Sequence, residues 1–78
     1  MKSINLSLES IEKVKEFVNL IGTFDGDFDL VSDRYVIDAK SIMGIFSLDL
    51  SKPIRLDIHA NVENPDEVIS KFEKFVVK

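Results

Sequence analysis

Apolar residues recur along this chain with two different periods. Ile4, Leu6 and Leu8 alternate with Asn5 and Ser7, the pattern of a half-buried strand. The spacing then changes. Ile11, Val14, Phe17, Val18 and Ile21 recur at helical intervals, with Lys13, Lys15, Glu16 and Asn19 on the other face, which predicts an amphipathic helix. Ser10, or Ser7 a little earlier, is its candidate N-cap. Glu9 and Glu12 suit the positive end of its dipole, and Gly22 is placed to end it in the left-handed region. Residues 24–26 read as loop. Phe28 and Leu30 alternate with Asp27 and Asp29, and Tyr35, Ile37 and Ala39 alternate with Val36 and Asp38; the turn Ser32-Asp33-Arg34 joins them, predicting a hairpin.

A short greasy segment begins at Ser41 and fades near Asp49-Leu50, and Lys52-Pro53 then breaks the chain. Ile54, Leu56, Ile58 and Ala60 alternate with Arg55, Asp57 and His59, a fourth strand. The last element has the clearest start signal: Asn64 as cap, Pro65 at the first helical position and Glu67 to complete a capping box. Val68, Ile69, Phe72, Phe75 and Val76 form one apolar face running to the C-terminus. The order is strand, helix, strand, strand, short helix, strand, helix. Each strand has one apolar face and each helix one apolar stripe, so the expected solution is a two-layer α+β domain with the helices on one face of a mostly antiparallel sheet.

At 78 residues the chain is a single domain, 1–78, and a core this small needs every amphipathic face. It has no cysteine, which removes disulfide frameworks, thiolate zinc sites and thiol nucleophiles together. The formal net charge of −4 argues against nucleic acid and anionic membranes as partners. Neither a membrane-spanning run nor the apolar core of a signal peptide is visible, so a soluble cytoplasmic domain is expected.

The stretch Ala39-Lys40-Ser41-Ile42-Met43-Gly44-Ile45-Phe46-Ser47-Leu48 carries the candidate chemistry. Ser41 stands where an N-cap belongs. Gly44 weakens the helix, so tertiary packing must hold it. Ile45 and Leu48 are expected in the core, with Ile42, Met43 and Phe46 as candidates for a partner-docking patch. The run Lys40-Ser41-Ile42-Met43-Gly44 resembles the regulatory-serine segment of HPr, the histidine-containing phosphocarrier of the sugar phosphotransferase system, and is nearest to low-GC Gram-positive members. The resemblance implies a βαββαβα open-faced sandwich with a four-stranded sheet and three helices. It also implies a serine at position 41 that a dedicated kinase phosphorylates. The implied partners are proteins of the phosphotransferase system: a serine kinase/phosphorylase or a transcriptional regulator. No cofactor is implied.

The resemblance stops at the family's working residue. There a histidine lies in a motif of the form Gly-(Ile/Leu)-His-Ala-Arg-Pro-Ala before the first helix. Its imidazole attacks phosphorus, while the helix N-terminus and the arginine stabilise the phosphoryl anion. Counting back without gaps from Ser41, the histidine position falls on Ser10, the arginine position on Glu12 and the proline position on Lys13. Keeping the strand alternation requires deleting about three residues of that loop. Ser10 and Glu12 thus mark a degenerate phosphocarrier site, and Glu12 repels the group that the arginine attracts. The chain looks like a divergent paralogue, of the kind that keeps the serine and loses the histidine. Lys15 and Glu16 fall near the first-helix side of the docking patch, which in the family is apolar.

Three further signals read blandly. His59, the one histidine, is in the outward phase of its strand and is expected to be solvated. Asp25-Gly26-Asp27-Phe28-Asp29 resembles a calcium loop but lacks the full spacing and terminal glutamate. With Asp33 and Asp38 these residues read as a solvated acidic edge that discourages edge pairing. A carrier using Ser10 or His59 as acceptor, and a structural module without any phosphotransferase link, are the rival readings.

Overall fold

A computed structural model describes residues 2–77. The strands are β1 (Lys2–Leu6), β2 (Phe28–Ser32), β3 (Tyr35–Asp38) and β4 (Ile54–Ile58). The helices are α1 (Ile11–Ile21), α2 (Ile42–Phe46) and α3 (Pro65–Lys71), followed by a 3-10 turn, Glu73–Phe75. The sheet order is β1-β4-β2-β3, and every neighbouring pair is antiparallel.

The register separates two faces. Ile4, Leu56, Leu30 and Ile37 stand opposite one another across all four strands and face the helix layer. One residue along, the row is Ser3, Asp57, Asp29 and Asp38, on the open face. This is the period of two acting across the whole sheet. Leu6, Phe28, Leu30, Ile54, Leu56 and Ile58 from the strands are buried with Val14, Phe17, Ile21, Ile45, Val68 and Phe72 from above them. The α+β sandwich read from periodicity is therefore the fold.

Several local expectations need correction. Ile11 is 60% exposed: it is the first residue of α1, and the helix buries Val14, Phe17 and Ile21 in its later turns. Gly22 is right-handed, at φ −65°, and the chain leaves α1 through two further turns, Thr23 N–H to the Leu20 carbonyl and Phe24 N–H to that of Ile21. The glycine with positive φ is Gly26, at 109°. There Val62 Cγ2 lies 2.7 Å from where a Cβ would stand, so close approach and conformation both require glycine. The last helix stops at Lys71, and Phe75 is delivered by the 3-10 turn. Val76 instead forms a β-bridge with Leu6. The Asn64 cap is present, accepting from Glu67 N–H at 3.3 Å.

Candidate functional site

Two serines begin helices. Ser10 is extended, at φ −121° and ψ 157°, and its hydroxyl accepts from Lys13 N–H at 3.2 Å. It is thus the N-cap of α1, and Ser7 instead donates its hydroxyl to Glu9. Glu12 occupies the first turn of α1. Ser41 caps α2 in the same way, accepting from Gly44 N–H at 3.2 Å. Both hydroxyls therefore satisfy backbone donors that a helix start would otherwise leave free.

The approach to Ser41 is built by Asp38. Its side chain accepts from Lys40 N–H at 2.9 Å and its carbonyl accepts from Ser41 N–H at 3.0 Å. This Asx-type turn folds the end of β3 into α2. In the sequence Asp38 reads only as part of an acidic edge; the signal for this turn is its place two residues before Lys40 and three before Ser41. Lys40 turns its ammonium away, to the Phe24 carbonyl at 2.8 Å and over the Phe28 ring. At Gly44 the short helix lies close on β3: a Cβ there would stand 3.2 Å from Ile37 Cδ1, so the Ile37 side chain would have to give by a few tenths of an ångström.

Ile45 and Leu48 are buried, whereas Ile42, Met43 and Phe46 are 39%, 78% and 45% exposed. Ile11 on α1, a helix in contact with α2, adds a further exposed apolar side chain, although helical spacing puts it on the apolar stripe of α1. Glu16 is drawn to the other side of α1, where it meets Lys74 at 2.7 Å and lines a groove with Asn19, Leu20 and Thr23. The expected Glu16 charge is therefore engaged with the C-terminal turn.

His59 is not simply solvated. Antiparallel pairing of β2 with β4 puts Asp57 opposite Asp29, so Asp29 is the diagonal neighbour of His59. Its Oδ2 lies 2.6 Å from His59 Nε2. Beside them Asp57 accepts from Ser3 Oγ at 2.7 Å and from Arg55 Nε and Nη2 at 2.8 and 3.1 Å. Burial pushes the Asp57 carboxyl up, but the hydrogen bonds from Arg55 and Ser3 and the nearby positive charge outweigh it and hold it below the ordinary value. These groups lie on the open face of the sheet, whereas Ser10 and Ser41 head helices on the other layer.

The calcium-loop resemblance also dissolves. Asp27 exchanges two hydrogen bonds with Asn61, its N–H to Oδ1 and its Oδ2 from Nδ2, and Asp29 is taken by His59. Among the described residues no cluster of histidine or carboxylate side chains is arranged to hold a metal ion. A cleft between the loops after α1 and β4 is lined by Asp25, Glu63 and Glu67 among others, a negative lining unsuited to phosphate. No helix among the described residues is long and apolar enough to cross a membrane.

Comparison with known proteins agrees with this architecture. HPr-C-His from Thermoanaerobacter tengcongensis superposes with a TM-score of 0.79 at 23% identity, over 97% of this chain and 91% of that one. The phosphocarrier protein HPr from Bacillus anthracis str. Ames gives 0.68 at 24% identity, over 97% and 94%. At such identities the likeness is one of fold. No curated protein matches the sequence. The family model described as "PTS HPr component phosphorylation site" matches residues 12–78, beginning just beyond the Ser10 cap. With that match over most of its length, the chain belongs to the HPr component family of the phosphotransferase system.

Proposed function

We propose that this chain is a regulatory, protein-binding HPr-family member that does not carry phosphate on histidine. The observation that carries this reading is the separation of His59 from the helix start where the family places its acceptor. His59 is hydrogen-bonded to Asp29 on the open face, while the α1 N-cap is Ser10, followed by Glu12. A serine hydroxyl engaged as a cap beside a carboxylate is a poor acceptor and a poor host for a phosphoryl anion.

Ser41 is the candidate switch, and Ile42, Met43 and Phe46 are the docking surface beside it. An exposed, polarisable methionine flanked by apolar neighbours suits a protein partner. Phosphorylation of Ser41 places about −1.5 to −2 charges at the edge of that patch. The dianion meets the favourable end of the α2 dipole, so the fold tolerates it while the patch becomes less welcoming to an apolar partner. The partner is a serine kinase/phosphorylase or a transcriptional regulator of the system, and the setting is the cytoplasm.

Two labelling reactions test the reading. Incubation with the general phosphotransferase enzyme and phosphoenolpyruvate leaves the protein unlabelled; acid-labile phosphate on any residue, His59 included, overturns the loss of carrier function. Purified serine kinase with ATP adds one phosphate to wild type and none to Ser41→Ala, read by intact mass. If the kinase modifies an ordinary HPr under the same conditions but not this chain, Ser41 is a helix cap alone and the protein is an interaction module without that switch.

A further inference from the structure

The two edges of the sheet are finished differently. Along β1 the C-terminal segment covers the edge in part: Val76 bridges Leu6, and Val77 N–H donates to the Asn5 carbonyl at 3.0 Å. Among the described residues, the outer side of β3 has no strand beside it. The hairpin dictates which of its groups point outward. Ser32 pairs with Tyr35 across a two-residue turn, and Ala39 N–H donates to the Phe28 carbonyl at 2.9 Å. The hydrogen-bonded pairs toward β2 are therefore 32 with 35, 30 with 37 and 28 with 39. Val36 and Asp38 direct their backbone groups the other way. The Asp38 carbonyl accepts from Ser41 N–H, while Val36 N–H, Val36 C=O and Asp38 N–H face outward. The side chains at this edge are also uncovered: Tyr35 is 65% and Val36 63% exposed.

We propose that β3 pairs antiparallel with β3 of a second copy of this chain, centred on Val36, joining the two sheets into one. The edge is self-complementary in that register. Val36 faces Val36, and each donates its N–H to the other's carbonyl. Tyr35 stands opposite Ile37 on the helix side, an aromatic against a β-branched residue, and Arg34 stands opposite Asp38, so that an ion pair closes each end. Asp38 N–H of each copy meets the Arg34 carbonyl of the other. Charge favours this register. Registers centred on Arg34 or on Asp38 also match outward-facing backbone groups, but they set Arg34 against Arg34 or Asp38 against Asp38, which is unfavourable. Those centred on Tyr35 or on Ile37 set Arg34 or Asp38 against Val36 and form neither ion pair, so the Val36 register alone pairs Arg34 with Asp38 at both ends. A two-fold contact of this kind closes on itself and does not propagate along this edge. With so short a strand the contact falls in the small, transient class of interfaces, below about 1,200 Å².

Sedimentation equilibrium of the purified full chain, from micromolar to millimolar concentration, tests the proposal. The mass is expected to rise with concentration from one chain toward two. Arg34→Asp sets carboxylates against carboxylates and is expected to weaken the dimer at least about tenfold. Asp38→Arg does the same with guanidinium groups, and the double swap restores association. Val36→Pro removes the outward N–H without touching the β2 ladder and is expected to give a monomer with an unchanged far-UV spectrum. A mass that stays at one chain up to millimolar concentration overturns the proposal, as does a dimer that survives both Arg34→Asp and Val36→Pro.

Discussion

The Phe72 ring lies 5.2 Å from the ring of Phe17, tilted by 44°. Phe75 stands 6.0 Å from Phe72 and 6.1 Å edge-on from Phe17, and Phe24 adds a fourth ring at 6.2 Å from Phe72. Phe72 is thus the hub that ties the C-terminal turn to α1, and it is completely buried. Phe72→Ala is expected to cost about 3–5 kcal/mol, a large share of the stability of a domain this small. Urea melts read it, and a loss under about 1 kcal/mol would remove Phe72 from the centre of the core.

Gly26→Ala is expected to destabilise the fold by about 1–3 kcal/mol, because φ is 109° and the new Cβ meets Val62 Cγ2. Val62→Ala in the same chain relieves the contact but leaves the backbone strain, so it recovers only part of the loss. Full recovery in thermal melts would show that the clash alone made glycine necessary.

Ser41→Ala removes the acceptor for Gly44 N–H and is expected to cost about 0.5–2 kcal/mol. Ser41→Asp keeps an acceptor at the cap and adds charge where the α2 dipole favours it, so it is expected to lie closer to wild type. Amide exchange at Gly44 distinguishes the two: it quickens in the alanine variant and stays slow in the aspartate variant. Equal exchange in both would mean that packing of α2 on β3, without the cap, holds this turn.

Asp57 makes stability depend on acid. Its carboxyl is held below the ordinary 3.8 in the folded protein. The folded state therefore binds its proton less readily than the unfolded chain does. The contribution is fully present above the unfolded value and is lost as pH falls through the folded one. Asp57→Asn is expected to flatten the fall in melting temperature below about pH 4, with little change in slope near neutrality. An acid limb as steep as that of wild type would assign the dependence to other carboxylates.

Much of the fold was legible in the chain. Period two and helical spacing marked every strand and helix in order, since an element with one buried face must repeat its apolar residues at its own period. Asn64 and Pro65 announced α3, and Ser41 its cap, because those signals act over a single turn. Termini were legible only where the cap chemistry was local. The end of α1 depended on Gly22, whose conformation is right-handed here, and the last helix ended early because Val76 found a partner in Leu6, more than sixty residues away in the chain.

The site divides along the same line. That Ser10 can cap the first helix with Glu12 in its first turn, and that Ser41 begins a short apolar helix, follows from residue order alone. Tertiary structure decided what each side chain meets. His59 became the partner of Asp29 because β2 and β4, distant in sequence, pair in one particular register. Gly44 became a contact with Ile37 because α2 folds back on β3. Glu16 was carried to Lys74, and Ile11 was left uncovered, by the way α1 lies on the sheet. The sequence by itself determined periodicity and caps, which are properties of neighbours along the chain. Charge pairing, exposure and edge geometry belong to neighbours in space, and long-range pairing alone determines those.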